Sequence, residues 1–255
     1  VSDQRGSESA RTTDHTGVAN AAGSDGTDIG AFEISPLTFN ITAIGSDFSI
    51  RLNSTNGQIE VIDNTGPTIV AYTPFAGTFG LIINGGSGDD LLTIDFSNGN
   101  PIPAGGITFA AGGQATASGD SLTITGGAGF STVTYNTAPG GAGTLTLNGS
   151  TINFTGLEPV TIVPTVGTLT ITIDDANGTA GETLTTQITN GGVVGDGLLF
   201  LDAPGSAEDM TFPMPTTALI INGDNDDNDA ITIVSLDTGF AASITIDGRG
   251  GNDSL

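Results

Sequence analysis

The sequence predicts an all-β chain of stacked short repeats, a β-solenoid of the parallel β-helix-like kind. Tandem β-sandwich domains are the alternative arrangement. Three observations point there. Short β-branched segments bounded by Gly, Asn, Asp or Pro recur roughly every ten to thirteen residues after Ile34. The turns are rich in residues that tolerate a left-handed backbone, and the chain carries 40 glycines with few aromatics. The sequence also repeats itself at long range.

The elements follow in order. The first strands are "FSIRL" (48–52), "QIEVID" (58–63), "TIVAY" (68–72), "GLIING" (80–85) and "LLTIDF" (91–96). In the last of these Leu92, Ile94 and Phe96 point one way, while Thr93 and Asp95 point the other. Then come "GITFA" (106–110), "SLTITGG" (121–127), "TVTYN" (132–136), "TLTLNG" (144–149), "TINFTG" (151–156) and "VTIV" (160–163). The series closes with "TLTITI" (168–173), "LLFLD" (198–202), "LIING" (219–223), "AITIV" (230–234) and "SITIDG" (243–248). No window shows a helical period.

Two copies align. "LIINGGSGDDLLTIDF" from Leu81 matches "LIINGDNDDNDAITIV" from Leu219, an offset of 138 residues. "GITFAAGG" from Gly106 matches "SITIDGRGG" from Ser243, and "GDSL" ending at Leu122 answers "NDSL" ending at Leu255. The expected organisation is a polar arm or closing segment at 1–36, a first copy at 37–165, and a second copy at 166–255 that stops mid-repeat. A start at Val1 in polar sequence, without Met or signal peptide, reads as a processed or partial piece of a longer protein.

Charge narrows the function. Arg5, Arg11, Arg51 and Arg249 stand against 28 carboxylates, for a net charge of -24. Such a surface repels DNA, RNA and anionic membranes and attracts divalent cations. No apolar run approaches the roughly 20 residues that cross a bilayer, so membrane insertion by a helix is not expected. With no Cys, disulfides are not the staple.

Catalysis is not expected. Thiol and amine nucleophiles are missing, and the single His, His15, lies in the polar arm. Glu60, Glu158, Glu182 and Glu208 are scattered, with no spacing that singles out a pair for glycoside hydrolysis. The pairs Asp174-Asp175 and Glu208-Asp209 sit between strands and read as solvated loops, with a share in a cation site as the alternative. Asn-x-Ser/Thr sequons occur at Asn40, Asn53, Asn148, Asn153, Asn177 and Asn252, and chance explains most of them in so Asn-rich a chain. Paired threonines in the T-x-T strands raise an ice-binding reading, but they do not recur at one rung length, and threonine suits any solvated strand face.

Two resemblances sharpen the picture. Gly85-Gly86-Ser87-Gly88-Asp89-Asp90-Leu91-Leu92 fits G-G-x-G-x-D-x-U, and so resembles the calcium-binding nonapeptide repeats of the RTX β-roll. The resemblance implies calcium held by Asp89 or Asp90 with carbonyls near Gly86 to Gly88, since calcium takes six to eight oxygens. "GDNDDNDA" crowds Asp224, Asp226, Asp227 and Asp229 into six residues, which predicts a second, weaker or more hydrated cation site. "GRGGNDSL" keeps Asn252 and Asp253, while "GGAGFSTV" from Gly126 has Ser131 at the aspartate position.

The second resemblance is carried by "DQRG" at Asp3–Gly6, "DIGAFE" at Asp28–Glu33 and "FTGLEPVTI" from Phe154. These resemble the closing motif and repeats of large secreted bacterial surface proteins with a parallel β-helix. The resemblance implies an extracellular or cell-surface structural protein rather than a lyase. The combined expectation is a calcium-stiffened repeat segment of a surface, matrix or filament assembly. It polymerises head to tail, with the arm around Ile29, Phe32 and Ile34 packing on the 240–255 end of the next subunit. An adhesin or carbohydrate-binding module, with surface glycans as partner, is the runner-up, and a polysaccharide-active enzyme ranks third.

Overall fold

The computed structural model describes residues 37–40, 46–116, 119–138, 140–173, 183–204, 208–225 and 227–255, all within the compact unit Pro36–Leu255. Nineteen strands and no helix occur among them. In chain order they are β1 (Leu37–Asn40), β2 (Asp47–Asn53), β3 (Gln58–Asp63), β4 (Thr68–Pro74), β5 (Leu81–Asn84), β6 (Leu91–Asp95) and β7 (Ile107–Ala110). Next are β8 (Asp120–Thr125), β9 (Phe130–Ala138), β10 (Ala142–Leu147), β11 (Ser150–Thr155), β12 (Leu157–Ile162) and β13 (Val166–Thr172). The last six are β14 (Thr183–Thr189), β15 (Leu198–Asp202), β16 (Met210–Pro213), β17 (Ala218–Asn222), β18 (Asn228–Ile233) and β19 (Ser243–Asp247).

They form two large mixed sheets. The first runs β1-β5-β7-β11-β10-β9-β13-β17-β19, and the second β4-β3-β2-β6-β8-β12-β16-β15-β14-β18. The chain alternates between them: β1 to β2, β5 to β6, β7 to β8, β11 to β12, β13 to β14 and β17 to β18. Most neighbours reached this way pair in parallel, as β2 with β6, β6 with β8, and β13 with β17. Three antiparallel meanders, β2-β3-β4, β9-β10-β11 and β14-β15-β16, widen the sheets without breaking the stacking order. Neither sheet closes on itself.

The alternation read from sequence sets the core. Leu92 and Ile94 are fully buried and Phe96 nearly so. In the second sheet one inward row links Phe48, Leu92, Leu122, Val160, Met210, Leu201 and Ile188 across paired strands. In the first sheet the matching row links Leu81, Ile107, Ile152, Leu145, Tyr135, Ile171 and Ile221. All of these belong to one continuous apolar cluster. Burying each such side chain is worth about 1.5–3 kcal/mol, so the rows are the main source of cohesion. Tyr135 and Phe154 stack with ring centroids 6.1 Å apart.

The β10–β11 turn shows how local chemistry fixes register. Leu147 pairs with Ser150, which leaves Asn148 and Gly149 as a two-residue loop. Both have positive φ, 49° and 89°, the primed-turn geometry that Asn-Gly favours.

β1, β14 and β16 are strands beyond those expected from the sequence. β14, "TLTTQIT", has only two apolar residues and buries Thr186 beside Ile188, so its pattern is weak. β16 is four residues long and ends on Pro213.

Candidate cation site at the entry edge of the second sheet

Each parallel strand of the second sheet is entered through a turn, and an acid tends to sit two residues before its first inward apolar side chain. Asp90 precedes Leu92, Asp120 precedes Leu122, Glu208 precedes Met210, and Asp229 precedes Ile231. All four acids are buried, with exposures of 1%, 0%, 7% and 1%. Alternation explains this: a residue two places from an inward Leu faces inward too. At β12 an apolar residue, buried Leu157, takes the place, and a register shift follows between Leu157 and Val160.

The acids fasten one turn to the next. The Ser46 amide donates to Asp90 Oδ1 at 2.9 Å, and the Gly86 amide donates to Asp90 Oδ2 at 2.7 Å. The Asp90 amide in turn donates to Asp120 Oδ1 at 2.6 Å. Asp89 reaches the following turn. Its Oδ1 accepts from the amides of Ala115 and Thr116, at 2.8 and 3.0 Å, and its Oδ2 from the Thr116 hydroxyl at 2.7 Å. These bonds, the Thr116 hydroxyl foremost, hold the Asp89 carboxyl below its ordinary pKa. Gly85 leaves room for the clasp, since a Cβ there would run into the Ala111 carbonyl and the Asp90 carboxylate.

The second copy repeats the device. The Asp224 amide donates to Asp229 Oδ2 at 3.0 Å, and the Asp229 amide to Asp253 Oδ1 at 3.0 Å. The Asn252 amide donates to Asn228 Oδ1 at 2.7 Å. Asp229 is therefore the counterpart of Asp90. The sequence offset of 138 pairs Asp90 with Asn228, and a one-residue insertion in the turn corrects it to Asp229. Asp224 and Asp227 are buried.

Two carboxylate oxygens in the column are buried without any hydrogen bond, Asp120 Oδ2 and Asp229 Oδ1. Burial raises the pKa of Asp120, and the charges of Asp90 and Asp89 add to it. Burial, with the charges of Asp253, Asp224 and Asp227, pushes Asp229 up to about 6.

Glu208-Asp209 is not a solvated loop. Glu208 is buried, and its backbone carbonyl accepts from the buried Tyr135 hydroxyl at 3.1 Å. Burial, then the charges of Glu158 and Asp209, push the Glu208 carboxyl up to about 7. Asp209 is raised as well, by burial and then by Asp202, the end residue of β15 that lies beside it. Glu60 lies apart from these acids, on β3. It accepts from Asn53 and ion-pairs with Arg51 at 2.9 Å.

The structure brings Asp224, Asp227, Asp229, Asn252 and Asp253 together as one group of turns, and Gly86, Gly88, Asp89 and Asp90 as another. Asp226, Asp174, Asp175, Glu182 and the arm at 1–36 lie outside the described residues. Asp120, in the "GDSL" ending at Leu122, and Glu208 are not among the expected cation ligands, because neither follows the G-G-x-G-x-D spacing. The acid-x-apolar spacing was the available signal.

The fit to calcium differs along the column. Asp89 and Asp90 already face N–H and O–H donors, the reverse of what a cation requires. The free lone pairs lie at Asp120 and Asp229, and Asp229 has three further carboxylates within electrostatic reach. Among the described residues no group of three or more acids or histidines is arranged to hold a metal ion as it stands. Comparison of the chain with protein-family models, curated proteins and solved structures finds no match.

Proposed function

We propose that this chain is a β-solenoid segment of an extracellular structural assembly, with calcium relieving the carboxylate column that ties its coils together. The observation that supports the reading is the parallel pairing of strands as the chain returns in turn to each of the two sheets. In such an array each coil contacts only its neighbours, so length is added by repetition. The interior is a continuous apolar stack, which suits a load-bearing element.

Calcium enters at the Asp224–Asp229 and Asp253 turns, where like charges crowd around an oxygen that lacks a donor. Self-association uses the open sheet edges. β4 bounds the second sheet and exposes Ile69, Val70 and Tyr72, and β19 bounds the first and exposes Ile244. No catalytic step is part of this reading.

Negative-stain electron microscopy in calcium and in chelator tests it. The proposal expects fibres or sheets in calcium that loosen on chelation. Dispersed particles of one size under both conditions would refute it.

A further inference from the structure

The edge opposite the acid column, where strands leave the second sheet, holds a cleft of different chemistry. It lies between the segment after β6 (Phe96–Asn100), the β8–β9 connection (Gly126–Gly129) and the β10–β11 turn (Leu147–Ser150). Its volume is about 210 Å³. Phe96 and Phe130 meet edge to face in its wall, with ring centroids 5.0 Å apart. Asn100, Asn148 and Ser150 supply its polar groups.

We propose that this cleft binds a single neutral sugar ring. Charge is the first argument. No lining residue is titratable, although the chain carries 28 carboxylates. The carboxylate beside the wall, Asp95, abuts Gly126 and accepts from the Ser97 amide at 2.8 Å, and an anion is repelled by the net charge.

Size is the second argument. The cavity falls below the roughly 300–1,000 Å³ of sites for larger ligands, so one ring fits and a long chain does not.

Polarity is the third. A sugar presents an apolar C–H face and a rim of hydroxyls, and the cleft offers the small exposed portions of two otherwise buried phenyl rings, 9% and 7% exposed, beside amides and a hydroxyl. Those polar groups are held in place yet have capacity left. Asn100 Nδ2 donates to Ser150 Oγ at 2.8 Å, and Asn100 Oδ1 accepts from the Ile102 amide at 3.0 Å. Asn148 Oδ1 accepts from the Ser131 hydroxyl at 2.9 Å and the Thr132 amide at 3.1 Å. The Ser150 proton and the Asn148 amide hydrogens remain for a ligand. This site stands apart from the calcium reading and holds whether or not cations bind the opposite edge.

The test is amide-resolved NMR on the whole chain, titrated with methyl glycosides of glucose, galactose, mannose and N-acetylglucosamine, and with glucuronate as the anionic control. At least one neutral glycoside should give saturable, millimolar shifts confined to 96–100, 126–130 and 147–150. Ala128→Trp, at an exposed position on the rim, should weaken that binding at least about tenfold, or 1.4 kcal/mol, at unchanged melting temperature. Ser150→Ala, a smaller change, should weaken it in the same direction and covers the case of a misfolded tryptophan variant. Absence of saturable shifts with every neutral glycoside, equal binding of glucuronate, or unaltered binding in both variants overturns the proposal.

Discussion

The amide of Asp90 donates to Oδ1 of Asp120 at 2.6 Å, across thirty residues of sequence. One acid thus acts as acceptor for its own turn and the preceding one while its backbone is held by the acid of the next. The same amide-to-carboxylate link joins Asp229 to Asp253 in the second copy, while Leu157 interrupts the acids at β12.

Removing a link should be costly. Asp90→Ala deletes the acceptor for the Ser46 and Gly86 amides in a buried setting. Hydrogen bonds to charged groups are worth about 1.5–3 kcal/mol, so the loss should be about 3 kcal/mol. Urea unfolding measures it, with a lower midpoint and unchanged slope. Asp90→Asn, which keeps one acceptor oxygen, should lose less. Equal stability of Asp90→Ala and wild type would remove the clasp from the account.

Glu208 should weaken the fold at neutral pH. Its folded pKa of about 7 lies above the ordinary 4.5, so the folded state keeps a proton that the unfolded chain has released. Its contribution is fully present below pH 4.5 and is lost as pH rises through 7. Glu208→Gln should therefore stabilise by about 1–3 kcal/mol at pH 8 and by little at pH 4. Melting curves at the two pH values decide this, and a gain of the same size at both would contradict it.

The whole chain should be most stable on the acid side of neutrality. Asp120, Asp209, Asp229 and Glu208 have raised folded pKa values, so their stabilisation falls as pH rises above their ordinary range. Asp89, Asp63, Asp237 and Glu60 are held low, chiefly by hydrogen bonds, so their stabilisation is lost as pH falls below that range. The two sets place the maximum between about pH 4 and 5. A stability profile by urea denaturation that peaks at pH 7 or above in low salt would show that other groups dominate.

Much of the fold was legible because strand alternation is a local signal. Leu92, Ile94 and Phe96 were placed correctly from their spacing alone. The meanders were not legible as such, since pairing order depends on which strands meet and not on any one strand. β14 was missed because its inward positions include Thr186, a residue whose sequence pattern says surface. For the site, glycine spacing led to Asp89 and Asp90 but not to Asp120 or Glu208. The 138-residue match led to the acidic turn of the second copy, and only the backbone showed that Asp229, not Asn228, takes the place of Asp90.

On the proposed reading, calcium relieves the repulsion among the buried carboxylates at the entry edge of the second sheet. The direct measurement is the melting temperature of the intact chain at low ionic strength, titrated with calcium and separately with sodium at matched ionic strength. A rise specific to calcium is expected, corresponding to about 2.7 kcal/mol of added stability at a hundredfold excess over Kd. Asp227→Asn with Asp229→Asn should remove most of that rise. Calcium that shifts the melting temperature no more than matched sodium, or equally in that double variant, would contradict this reading.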